Sequence, residues 1–169
     1  MGNSIFNTLL IKGNHELIND IKDDIIVMKE DKSTTLKLTN SENENLQFDC
    51  DCQVGTDFIL LRFNTYNTVY ASSVLKWSIQ FPKAFFILTV TSIMDGGSYS
   101  MVGFDNSFTQ IDLPVVLLND NRQPVYYDKN EIAWKLKKDD SVTNQPMGRC
   151  FRNPMTLIID ALINNDFIW

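Results

Sequence analysis

The string Asp49-Cys50-Asp51-Cys52 is where this sequence comes nearest to chemistry. Two thiols beside two carboxylates are donor types that hold a divalent metal, and a metal there would let the carboxylates assist a hydrolysis. The spacing argues for something plainer. Zinc sites usually combine a C-x₂₋₄-C pair with a second pair elsewhere, and Cys150 and His15 are the sole other soft ligands in the chain. On a strand, Cys50 and Cys52 would share one face, with Asp49 and Asp51 on the other. Two small buried residues alternating with solvated acids on a strand then explain the string without a metal. Asp49, Cys50, Asp51 and Cys52 are the candidate metal residues, and no cofactor is expected.

The other chemistry-bearing residues are sparse. His15 is the single histidine, so any serine–histidine or cysteine–histidine relay would have to use it. It sits at the start of a helical pattern, where a surface role is the simpler reading. No G-x-S-x-G, P-loop or G-x-G-x-x-G occurs. Phe58, Phe63, Phe85 and Tyr99 could present rings to single-stranded RNA, but core packing accounts for them too. Lys135, Lys137 and Lys138 form a small basic cluster that Asp139 and Asp140 follow directly.

Bulk properties narrow the field. The 169 residues suit a single domain, 1–169, and a hydrophobic content of 44% is enough for a core. The net charge is -6, which disfavours general binding to nucleic acid. Residues 1–57 alone hold 11 acids against 5 bases, whereas residues 122–152 hold 7 bases against 4 acids. The odd count of three cysteines fits a reducing, cytoplasmic setting. No apolar run is long enough to cross a membrane and no signal peptide is visible.

The elements that must position these residues follow from periodicity. Phe6 to Lys12 is a β-prone run ended by Gly13. Asn14 is an N-cap, and Leu17, Ile18, Ile21 and Ile25 recur at helical spacing with Asp20, Asp23 and Asp24 on the wet side. Thr34 to Thr39 alternates as a strand, and 41–45 is an exposed loop carrying Glu42 and Glu44. Asp57 to Phe63 is a buried strand. Tyr70, Val74, Trp77 and Phe81 make one helical stripe stopped by Pro82. Ala84 to Ile93 is a strand, Asp95-Gly96-Gly97 a hairpin turn, Tyr99 to Phe104 the return strand, and Phe108 to Leu113 a further one. Asp128 with Glu131 predicts a short helix running to about Lys138. Residues 139–148 read as a loop. Asn153-Pro154 starts a last helix with Leu157, Ile158, Ala161 and Leu162 on its apolar side. The apolar end Phe167-Ile168-Trp169 is expected to dock on the body or on a partner.

The opening FNTLLIKGNHELINDIKDDI, with Asn7, Leu9, Ile11 and Gly13, resembles the N-x-L-x-I-x-G strand and acidic helix that begin the plasmid- and phage-borne YubB-type ferredoxin-like family. Phe63-Asn64-Thr65, the helix ending in Phe81-Pro82, the strand Phe85 to Val90 and the hairpin glycines Gly96-Gly97 are similar to its later pattern. The resemblance spans residues 3 to about 112. Tyr66, Thr68 and Val69 stand where the family carries W-x-P-P, and its W-G-x-K-W segment is missing. The element order, strands joined through helices and then a hairpin, suggests an α+β, ferredoxin-like split βαβ sheet over 1–114 with helices on one face, in keeping with the resemblance. A helical extension, 115–169, which the family does not explain, is expected to pack on it. The resemblance also implies a mobile-element protein in the cytoplasm of a bacterial host cell.

The resulting expectation is a non-enzymatic binding protein that engages a bacterial host protein, for host takeover or counter-defence. Its contact residues would be the acids Asp20, Asp23, Asp24, Glu42 and Glu44, facing a basic partner surface. A carboxylate or metal-dependent hydrolase and a single-stranded nucleic-acid binder are the alternatives. Membrane attachment is not expected, and an exposed hairpin edge together with the apolar tail allows a homodimer.

Overall fold

A computed structural model describes residues 4–29, 33–39, 45–66, 70–92, 97–113, 116–144, 151–152 and 154–164. Eight strands build one antiparallel sheet: β1 (Ser4–Lys12), β2 (Ile26–Met28), β3 (Thr34–Thr39), β4 (Asn45–Val54), β5 (Phe58–Tyr66), β6 (Phe85–Ser92), β7 (Gly97–Phe104) and β8 (Ser107–Leu113). Their spatial order is β2-β3-β4-β5-β1-β6-β7-β8. Strand β1 is central, and Leu9, Leu10 and Ile11 are fully buried because both faces of the sheet are covered there. Asn7, also on β1, is buried, and its Nδ2 hydrogens have acceptors in the Ile5 and Phe63 carbonyls and Thr65 Oγ1.

Helices α1 (His15–Ile25) and α2 (Ala71–Gln80) cover one face. Asn14 caps α1 by accepting from the Leu17 N–H at 2.9 Å. Ile18, Ile21 and Ile25 then point into a core shared with Leu9, Ile11, Leu61 and Phe86. Tyr70, Val74 and Trp77 anchor α2 into the same core, and Trp77 stacks on Phe86 with ring centroids 6.4 Å apart. Gly103 lets α2 sit close, since a Cβ there would lie 3.0 Å from Ser78 Cβ.

The opposite face is covered by the chain's last third. Helix α3 (Pro154–Asn164) lays Met155 and Ile159 on Leu10, Phe58, Leu60 and Ile87. A second sheet, order β12-β11-β10-β9-β13, consists of β9 (Val116–Leu118), β10 (Pro124–Asp128), β11 (Ala133–Leu136), β12 (Val142–Thr143) and β13 (Phe151–Arg152). Its cluster of Leu117, Val125 and Trp134 packs with Phe6 of β1. The sheet hydroxyls buried on β6 and β7 pair across strands: Thr89 with Ser100 at 2.8 Å, and Thr91 with Ser98 at 3.2 Å.

This architecture corrects the ferredoxin-like α+β expectation. Strands dominate, every sheet neighbour is antiparallel, and helices lie on both faces. Strands β5 and β6 do flank β1 and connect through α2, but β2 to β4 extend the sheet on one side and β7 and β8 on the other. Residues 115–169 are not a helical extension either, because their described part builds the second sheet and adds α3 as their one helix among the described residues. Asp128 does accept from the N–H groups of Asn130 and Glu131, which is helix-capping chemistry. Ile132, however, has φ 53° and reverses the chain into a hairpin. The alternation Val125, Tyr127, Trp134, Leu136 then faces the core with period two. Helix α3 is turned in part from its expected side: Leu157 is 73% exposed and Ile158 40%, while Met155 and Ile159 are buried and the expected Leu162 packs beside them. The expected loop acids Glu42 and Glu44, the turn residues Asp95 and Gly96, the cap Asn153, Cys150 and the tail Phe167-Ile168-Trp169 lie outside the described residues. Among the described residues, no helix is long and apolar enough to cross a membrane.

Candidate functional site

Strand β4 carries the Asp-Cys-Asp-Cys string in the alternation its sequence dictates. Leu46, Phe48, Cys50 and Cys52 pack against the main core. Asp49 and Asp51 stand on the opposite side, with side chains 82% and 72% exposed. Thiols and carboxylates therefore diverge instead of converging on one ion. Each acid already faces a base: Lys29 lies 3.1 Å from Asp49, and Arg62, opposite Asp51 in the β4–β5 register, lies 3.4 Å from it. The Cys50 thiol points at the Thr34 carbonyl 3.5 Å away. Burial, then the neighbouring Cys52, Asp51 and Asp49, pushes its pKa up to about 12. Burial and Asp51 also raise Cys52, against a smaller lowering by Lys22. A thiol that holds its proton is a poor nucleophile and a poor ligand. Among the described residues, no group of three or more His, Cys, Asp and Glu side chains is placed to hold a metal.

An open depression of about 760 Å³ lies beside this strand, where β3 begins. Ser33, Asp49, Asp51, Arg62, Asn64 and Tyr66 line it. Arg62, Asn64 and Tyr66 were not evident as neighbours of the acids, because only the register of β4 against β5 brings them there. Its floor is polar and open, without the apolar enclosure that holds a small ligand tightly.

Helix α1 carries three of the acids expected to meet a partner, Asp20, Asp23 and Asp24, and adds Glu16. Its buried face is isoleucine, so Glu16, Asp20, Asp23 and Asp24 are all exposed on the other side. Glu16, Asp20 and Asp24 follow one another at four-residue spacing, which makes a single stripe. Asp24 accepts from Gln80 Nε2 of α2 at 3.1 Å, which ties the stripe's end to the neighbouring helix. Among the described residues, none of these acids makes an ion pair. Asp23 and Asp24 lie in the last turn, where the helix dipole disfavours negative charge.

The remaining candidates are accounted for by structure. His15 is exposed; its Nδ1 lies 3.3 Å from the Thr56 carbonyl and its Nε2 3.3 Å from Asn19 Nδ2. Lys135 is buried between Asp128 at 2.9 Å and Glu131 at 2.8 Å, so the basic cluster is not one exposed patch. Phe63 and Tyr99 belong to the helix-covered core, and Phe58 and Phe85 lie in the cluster beneath α3, so these four rings do not form an open stacking surface. Compared with family models, curated proteins and solved structures, the chain matches none.

Proposed function

We propose that this chain is a non-enzymatic binding protein that engages a basic surface of another protein through the acidic stripe of α1. The observation that carries this reading is the exposed row Glu16, Asp20, Asp23 and Asp24, held on a helix whose other face is locked into the core. Like charges four residues apart on a helix repel by about 0.2–0.5 kcal/mol per pair. A stripe that works against its own helix gains its use from a partner of opposite charge. The hydrolase alternative finds less support, because the Asp49 and Asp51 carboxylates are each paired with a base and face away from the thiols.

A phage or other mobile-element origin, with a bacterial host protein as the partner, belongs to the same proposal and rests on the sequence resemblance. Affinity capture from nuclease-treated bacterial lysate tests it. A protein recovered in stoichiometric amount by the native chain, and lost with Asp20→Asn/Asp23→Asn/Asp24→Asn, supports the reading. An unchanged set of bound proteins with that folded variant refutes the role of α1.

A further inference from the structure

The two ends of the eight-stranded sheet differ. At one end β2 is three residues long and is followed by Lys29, which is engaged with Asp49. A short edge with a charge beside it is the usual protection against unwanted pairing. At the other end β8 runs for seven residues, Ser107–Leu113, with no proline and no lysine. Ser107, Thr109, Gln110, Ile111 and Asp112 are all exposed, and among the described residues no strand pairs with the outer side of β8.

The hairpin fixes which backbone groups face outward. Asp105 and Asn106, with φ of 47° and 60°, form a two-residue turn joining the paired residues Phe104 and Ser107. In such a hairpin the residues flanking the turn are a hydrogen-bonded pair, and the pattern then alternates. Ser107, Thr109, Ile111 and Leu113 therefore direct their N–H and C=O groups inward to β7. Phe108, Gln110 and Asp112 direct theirs outward. That outward set is centred on Gln110. Rotated about a twofold axis through Gln110, it matches itself: Gln110 meets Gln110, and Phe108 meets Asp112.

We propose that β8 is a self-association edge, and that two copies pair β8 antiparallel about this axis into one continuous sheet. Apolar surface accompanies the edge. Phe104 is 50% exposed and Ile111 43% on one face of the sheet, while α2, which packs over β7 and β8 on the other, leaves Leu75 and Ile79 exposed. A seven-residue strand is about 23 Å long, and with roughly 20 Å of flanking surface the pair buries on the order of 1,000 Å², where specific interfaces begin. Charge points to a second copy as the occupant. The chain carries -6, so two copies repel except where charge is balanced. The elements at this edge carry little net charge, since Lys76 of α2 and Lys83, next to the Pro82 carbonyl that accepts from the Asp105 N–H, stand against Asp105 and Asp112, whereas the acidic stripe belongs to α1, which contacts β2, β3 and β5 and meets α2 at Asp24.

Sedimentation velocity of the full chain across the micromolar to sub-millimolar range tests this. The expected species has twice the 19.4 kDa chain mass. Gln110→Pro removes an outward N–H that β7 does not use, so the fold survives, as its circular dichroism melt will report. The dimer dissociation constant then rises about tenfold or more, because the symmetric pair of bonds is lost, and Gln110→Ala leaves it within a few-fold. Should Gln110→Pro disturb folding, Ile111→Lys decides, since it places like charges across the edge at an exposed site. A chain that stays monomeric throughout overturns the proposal, as does a dimer that folded Gln110→Pro or Ile111→Lys leaves unchanged. Neither result bears on the α1 reading, which concerns a different surface and a different partner.

Discussion

Asp20→Asn should stabilise the protein. Asp20 is exposed in the middle of α1, four residues after Glu16, three before Asp23 and four before Asp24. Each of these like-charge neighbours costs about 0.2–0.5 kcal/mol on an exposed helix. Among the described residues Asp20 has neither an ion pair nor a hydrogen bond to lose, and Asn and Asp have similar helix propensities. Removing three repulsions therefore gains about 0.6–1.5 kcal/mol at low salt, and solvent screening of so exposed a group favours the lower end. For a domain of this size that is a rise in melting temperature of about 1–6 °C. The assay is thermal unfolding of native and Asp20→Asn protein at low salt and again near 1 M salt, where the Debye length falls to about 3 Å and the gain should vanish. A variant that is less stable, or a gain indifferent to salt, would mean that Asp20 is held by a favourable contact and that the stripe is not a bare repulsive surface. The same substitution is predicted to weaken partner binding, which would make the stripe a case of stability given up for function.

Other consequences follow from single residues. Ile132→Gly should stabilise by about 0.5–1 kcal/mol, because a β-branched residue at φ 53° is strained and its side chain, 76% exposed, contributes no core burial; denaturant unfolding would register the gain. Met155→Ala should cost about 2–4 kcal/mol, since Met155 of α3 is buried against the sheet, and a smaller loss would show that α3 is only loosely docked. The Cys50 thiol ionises near 9.0 when unfolded and near 12 when folded, so the folded state binds its proton more tightly. Stability should fall as pH rises through that window, and alkylation of the native protein at pH 8 should be slow; rapid labelling at Cys50 would contradict its burial.

Much of the large sheet was legible because its signals are local. Gly13, Asn14 and the isoleucine spacing predict the β1 end, the cap and α1, and the Tyr70-Val74-Trp77 stripe predicts α2. The alternation that separates Cys50 and Cys52 from Asp49 and Asp51 was readable for the same reason. Sheet size was not legible. Strand β4 is polar on one side and its apolar side is only half buried, so Leu46, Phe48, Cys50 and Cys52 give a weak signal until β3 and β5 flank it. The Asp128 hairpin failed for a sharper reason. Asx-type bonding to Asn130 and Glu131 serves a helix start and a tight turn equally, and the left-handed Ile132 that decides between them has no sequence signature. At the depression beside β4, Arg62 and Tyr66 come from β5, and pairing register is a long-range property.

The most direct test of the central claim is the salt dependence of binding to the captured partner, measured for the native chain and for Asp20→Asn/Asp23→Asn. If α1 meets a basic surface, native affinity falls steeply as salt rises, and the variant binds more weakly with a shallower slope. Affinity that is insensitive to salt, or identical slopes for both proteins, would contradict an electrostatic contact through α1.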